Sequence, residues 1–222
     1  EKRGFWSDYD FVIIDEAHHV EDVAAEHFGL TLAESRISHL LRLLYNRQKG
    51  TGFLSSFQPK DLDHQALDHT IELVMRCERA ADAFFDNWRE WAARHAGANG
   101  WINEPGAVDD ILSDPMQELT KRLRALKTQT RTDADEFELN SYAERAAAIV
   151  DDTRLLIGQE VEGCVYWLEE SAGRSRARRS RPRVTLRCAP VEVGPILEER
   201  LFGQDIGIVL TSATLATGRN DF

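Results

Sequence analysis

Two short β-branched apolar runs set the frame for this chain: Val12-Ile13-Ile14 near its start and Ile206-Gly207-Ile208-Val209-Leu210 near its end. Each has the composition of a strand buried on both faces, as in a parallel sheet covered by helices. Between them, from about residue 31 to 160, the apolar spacing is helical almost throughout. So long a helical excursion between two strands reads as an α/β core with a helical domain inserted into it.

The segment VEDVAAEHFGL after the first run is rich in alanine and glutamate, with acids in its first turn, and predicts a helix. LAESRISHLLRLLYN places Leu32, Ile37, Leu40, Leu41 and Leu44 on one helical stripe. After the loop KGTGFLSSFQPKD a longer helix is expected, with Leu67, Ile71, Val74, Met75, Phe84, Phe85, Trp88 and Trp91 largely three and four apart. The loop AGANGWINEPGA breaks the pattern. DPMQELTKRLRALK then predicts a helix with Pro115 in its first turn after Asp114. Another spans roughly 135–160, with Phe137, Tyr142, Ala146, Ile149, Val150 and Leu156 available for packing. Beyond residue 160 the period changes. CVYWLEES and RVTLRCAPVEV read as a hairpin with an arginine-rich tip, followed by a short helix over ILEERLF.

Charge narrows the function classes. A net charge of −11 argues against binding nucleic acid through overall charge, yet RSRARRSRPR gathers six arginines and no acid. Those residues (Arg174, Arg176, Arg178, Arg179, Arg181 and Arg183) are candidates for contact with backbone phosphates; the plainer alternative is a solvated hairpin tip. Trp101, in a glycine-rich loop, is a candidate for stacking on a single-stranded base, whereas Trp88 and Trp91 fit the core better. Cys77, Cys164 and Cys188 are isolated and predict reduced thiols. No apolar run approaches the roughly 18 residues needed to span a bilayer. EKRGFWSDYD lacks the apolar core of a signal peptide and reads as the lead-in to a strand within a longer sequence, so a cytoplasmic protein is expected.

Ligands of open α/β sheets bind outside the carboxyl ends of the strands. Asp15 and Glu16 follow the first strand, and Thr211, Ser212 and Thr214 follow the second. A carboxylate after an apolar strand suits Mg²⁺ in a phosphate-handling site, and a second acid beside it suits a water to be deprotonated. The plainer alternative is a strand end capped by solvated acids. An E-x-x-H at Glu16–His19 and a D-x-x-H at Asp61–His64 do not make the paired set of a bimetal bundle, because they are not on facing helices.

Asp15-Glu16-Ala17-His18 after an apolar strand, with Ser212-Ala213-Thr214 after a later one, resembles motifs II and III of superfamily 2 helicases. With the helical block between them, and with APVEVGPILEERLF and VLTSATLATG, the chain looks like the DinG/XPD group of ATP-dependent DNA helicases from about residue 5 to 222. The resemblance implies an α/β RecA-like (P-loop NTPase-type) partial motor domain carrying a large all-helical arch insertion. Residues 1–30 would belong to the motor, 31–160 to the arch, and 161–222 to the return into the motor with a β-hairpin. It implies Asp15 as ligand of a Mg²⁺-bound water, Glu16 as catalytic base for ATP hydrolysis, and His18, Ser212 and Thr214 as links between nucleotide state and movement on DNA. His19 receives no role. The implied activity is translocation on single-stranded DNA, 5′ to 3′, with unwinding of forked or damaged duplex in DNA repair. ATP and Mg²⁺ would be the cofactors. Iron–sulfur members of the group carry their cysteines upstream of this strand, and this chain holds no ligands for a cluster. No G-x-x-x-x-G-K-[ST] phosphate loop occurs in these residues, so the segment is expected to be inactive alone. A non-enzymatic helical module that binds nucleic acid or protein is the competing expectation.

Overall fold

The computed structural model describes residues 10–60, 64–95, 99–171 and 181–212. In chain order its elements are β1 (Phe11–Ile14), α1 (Val20–Phe28), β2 (Leu30–Ala33), α2 (Glu34–Leu44), α3 (Phe53–Ser56) and α4 (His64–His95). These are followed by α5 (Ser113–Lys127), α6 (Asp133–Gly158), β3 (Cys164–Ser171), β4 (Arg183–Pro190), α7 (Gly194–Leu197) and β5 (Gly207–Leu210). They fall into two compact units, one built from residues 1–29 and 189–222, the other from residues 30–188.

In the first unit β1 and β5 pair in parallel, with Phe11 opposite Gly207 and Ile14 opposite Leu210. Gly207 leaves room for the Phe11 ring, which a Cβ at that position would push aside. The expectation that both strands are buried on two faces does not hold. Phe11 is 75% and Ile13 72% exposed, and Val209 and Leu210 are exposed as well. A parallel strand gains burial only from layers on its faces, and among the described residues β1 and β5 pair only with each other.

The second unit is helical with a small sheet. α5 packs on α6 and α4, and α2 on α4 and α6. In α2, Ile37, Leu40, Leu41 and Leu44 are buried at the one-face spacing of a helix. In α4 the inward residues are Leu73, Val74, Cys77, Ala81, Phe84, Phe85 and Trp88. Three threonines also face this core, Thr70, Thr120 and Thr153. Each donates its hydroxyl to the carbonyl four residues back, at 2.7, 2.9 and 2.6 Å, so these three buried hydroxyls are met within their own helices. α6 opens on Thr132, whose side chain accepts from the Asp135 amide at 3.0 Å, with Asp133, Asp135 and Glu136 favouring the positive end of the helix.

Several local expectations are corrected here. Leu32 lies on a strand, not on the α2 stripe: β2 pairs antiparallel with β4, and Leu32 meets Leu186 in the core. α5 starts one residue earlier than expected, at Ser113, where Asp110 Oδ1 accepts from the amides of Leu112 and Ser113 at 3.1 and 2.9 Å, while Pro115 keeps its expected place in the first turn after Asp114. Phe137 is 77% exposed and does not pack inward. The hairpin of β3 and β4 joins the helical unit through the sheet order β2-β4-β3, with Tyr166, Leu168, Val184, Leu186 and Cys188 buried in the same core as the helices.

Candidate functional site

The parallel register decides which side chains meet at the strand ends. With Ile14 opposite Leu210, the next residues, Asp15 and Thr211, emerge side by side. The Thr211 amide donates to the Ile14 carbonyl at 2.9 Å, and the Thr211 carbonyl accepts from the Ala17 amide at 2.9 Å. The Thr211 hydroxyl donates to Asp15 Oδ1 at 2.6 Å, and the Glu16 amide donates to that same oxygen at 2.9 Å. Both bonds stabilise the charged carboxylate, the hydroxyl more than the amide, and hold the Asp15 carboxyl below its ordinary value. Asp15 is therefore an ionised, solvent-facing carboxylate whose Oδ2 accepts neither of these bonds. This is the chemistry that an Mg²⁺-bound water requires.

Glu16 takes a left-handed backbone conformation, φ 51° and ψ 47°. Non-glycine residues rarely adopt this region, and it marks local strain held in place by surrounding contacts. It turns the chain from β1 into the short helical turn Ala17–His19 and on into α1. Across that turn, His18 Nδ1 lies 2.7 Å from Ser212 Oγ and 3.3 Å from Glu16 Oε2. Protonated, this nitrogen donates to one of the two oxygens; unprotonated, it accepts from the serine hydroxyl. The structure thus brings Asp15, Glu16, His18 and Ser212 together. Thr214 lies outside the described residues. Thr211 directly contacts Asp15 but carried no role in the sequence reading, where it was one hydroxyl among three at the strand end.

Beside these residues a cavity of about 300 Å³ is lined by Asp15, Glu16, His19, Val23, His27 and Phe28 among others. The Arg200 guanidinium sits 5.4 Å from the centre of the Phe28 ring. Among the described residues no three His, Cys, Asp or Glu side chains cluster as a ready metal cage. A metal at Asp15 would need most of its ligands from elsewhere, as Mg²⁺ usually takes them from water and phosphate.

The nucleic-acid candidates lie in the other unit. Arg174, Arg176, Arg178 and Arg179 fall outside the described residues. Arg181 is engaged by Asp86, Asp82 and Glu34, at 2.7, 3.4 and 3.6 Å. Arg183 is exposed at the start of β4. Trp101 is 55% exposed and bridges antiparallel to Trp167. Trp88 is buried in the core, and Trp91 stacks on His95 with ring centres 5.7 Å apart.

No protein-family model matches the chain. Over 91% of its length it is 23% identical to the protein named 3′-5′ exonuclease DinG from Bacillus subtilis (strain 168). The similarity is distant, and the chain spans 24% of that protein's length. It relates this chain to a DinG protein across both units, helical block included.

Proposed function

We propose that the chain is the central segment of an ATP-dependent, DinG-like DNA helicase: part of a RecA-like motor domain with a helical arch inserted in it. The observation that carries this reading is the junction of the D-E-A-H turn with the end of β5 through Thr211 to Asp15 and His18 to Ser212. The distant similarity to DinG supports it. So do the exposed apolar side chains of β1 and β5, which suit strands within a wider sheet.

Mg²⁺-ATP would supply the scissile phosphoanhydride, with the metal neutralising charge on the phosphates. Asp15, kept ionised by Thr211, would hold a metal-bound water. Glu16 would orient the attacking water and take its proton. His18, poised between Glu16 and Ser212, would pass a change at the acids on to the second strand end through its hydrogen bonds. The DNA partner would be a single strand emerging from forked or damaged duplex, with 5′-to-3′ movement expected from the family resemblance. The relative is named for an exonuclease, and we assign no nuclease step to the described residues.

The test places Glu16→Gln in a longer polypeptide that supplies a phosphate-binding loop and the rest of the motor. ATP turnover should be abolished while nucleotide binding is kept. Hydrolysis undiminished in that variant would overturn the assignment.

A further inference from the structure

The helical unit carries a second feature suited to nucleic acid, on the open face of its small sheet. Along β4, Val184, Leu186 and Cys188 point into the core, so Arg183, Thr185 and Arg187 share the opposite face. On β3, Tyr166 and Leu168 are buried, which places Val165, Trp167 and Glu169 on that same face. Contacts along and across the strands confirm it: Trp167 Nε1 donates to Glu169 at 2.9 Å, and Arg187 pairs with Glu169 at 3.3 Å.

Trp101 extends the face. The Ile102 amide donates to the Tyr166 carbonyl and the Leu168 amide to the Gly100 carbonyl, each at 2.9 Å. These bonds flank Trp101 and Trp167 and make them a non-hydrogen-bonded antiparallel pair, the kind whose side chains stand closest. Gly100 makes the approach feasible: its φ is +68°, and a Cβ there would run into the Leu168 carbonyl oxygen. The backbone is thus shaped to hold the half-exposed Trp101 beside the partly buried Trp167.

We propose that Trp101 and Trp167, with Arg187 on the same face and Arg183 farther along it, form a stacking platform for single-stranded nucleic acid. Flat aromatic faces take unpaired bases whatever their sequence, and guanidinium groups take the phosphates between them. The alternatives fit less well. An added peptide strand would need the edge of β3 that Gly100–Ile102 already occupies, and a partner helix would need an aliphatic stripe where Val165 is the one aliphatic side chain that β3 places on this face. Glu169 acts as a brake, because it holds both Arg187 and the Trp167 indole and repels phosphate. The identity of the ligand rests on the DNA-handling function proposed above; the geometry of the platform does not.

The experiment titrates the 222-residue chain against a labelled oligothymidylate of about twenty nucleotides, and against an abasic deoxyribose-phosphate chain of equal length, by fluorescence anisotropy. Trp101→Ala and Trp167→Ala should each weaken oligothymidylate binding roughly tenfold, and Trp101→Phe should keep most of it. Arg187→Ala should flatten the salt dependence, and Glu169→Gln should tighten binding several-fold. Absence of wild-type binding at low salt, equal affinity for the abasic chain, or unchanged affinity in a folded Trp101→Ala variant would overturn the platform. Failure here leaves the Glu16 hydrolysis test standing, and failure of that test leaves this one standing.

Discussion

The Thr211 hydroxyl donates to Asp15 across 2.6 Å, joining the ends of two parallel strands whose residues are 196 apart in sequence. That bond is the largest cause holding the Asp15 carboxyl below its ordinary value of 3.8, ahead of the Glu16 amide. Thr211→Val keeps the β-branched shape and removes the donor, so the Asp15 titration should move upward. Carboxyl carbon chemical shifts followed through a pH titration would show it. A group whose folded value is depressed stabilises the fold above its unfolded value and loses that contribution as pH falls through the folded value. The wild type should therefore lose this contribution only below pH 3.8, and at lower pH than the valine variant. An unmoved titration would mean that the hydroxyl does not bond Asp15 in solution.

How much of this was legible in the sequence differs from residue to residue. Val12-Ile13-Ile14 and Ile208-Val209-Leu210 announce strands because β-branched runs leave few other choices. Leu40, Leu41, Phe84, Phe85 and Trp88 announce core because their spacing repeats over several turns. Leu32 could not be placed that way: one leucine before a helical stripe fits its period, and only pairing with Leu186 makes it a strand residue. The acids and hydroxyls of the site could be read as types at strand ends. Which hydroxyl meets which acid depends on the β1–β5 register, which no local pattern encodes, and the left-handed turn at Glu16 has no marker, since glutamate is a poor residue for it.

That turn makes the second prediction. Glu16 holds φ 51° with its side chain in solvent, so its backbone is strained without any buried contact in return. Glu16→Val should destabilise by about 1–2 kcal/mol, because a β-branched residue tolerates this region worst. Glu16→Gly should cost almost nothing, since relief of strain offsets the greater freedom of the unfolded chain. Denaturant melts of the two variants separate the cases, and equal stabilities would mean that the turn relaxes in solution.

The acidic side chains around Arg89 should divide by burial. The Arg89 side chain is 13% exposed and Glu34 17%, and the two are ion-paired. Glu34 also accepts from the Val184 amide at 3.2 Å, and Arg89 donates to the Pro182 carbonyl at 2.9 Å. Glu34→Ala would leave a guanidinium and an amide short of an acceptor in a poorly solvated place, and should cost about 2–3 kcal/mol. Asp82 is 66% exposed and meets only the Arg181 end of the cluster, so Asp82→Asn should cost under about 0.5 kcal/mol. Urea unfolding midpoints would rank them, and a reversed order would show that Asp86 and the Pro182 carbonyl hold Arg89 without Glu34.

Thiol chemistry gives the last prediction. Burial pushes the Cys77 thiol up to about 12 and the Cys188 thiol up to about 11. Cys77 also donates its S–H to the Pro115 carbonyl at 3.3 Å, where α4 meets the start of α5. Near pH 8 the reactive thiolate would be present in only about one molecule in ten thousand at Cys77 and one in a thousand at Cys188. Cys164 is also raised by burial but is only partly covered, so iodoacetamide should label it first and Cys77 last, as peptide mass spectrometry would resolve. The same shifts make stability fall on the alkaline side: above about pH 9 the unfolded chain sheds protons that the folded thiols retain. Rapid labelling of Cys77 without denaturant would show that the α4–α5 contact opens locally, well short of global unfolding.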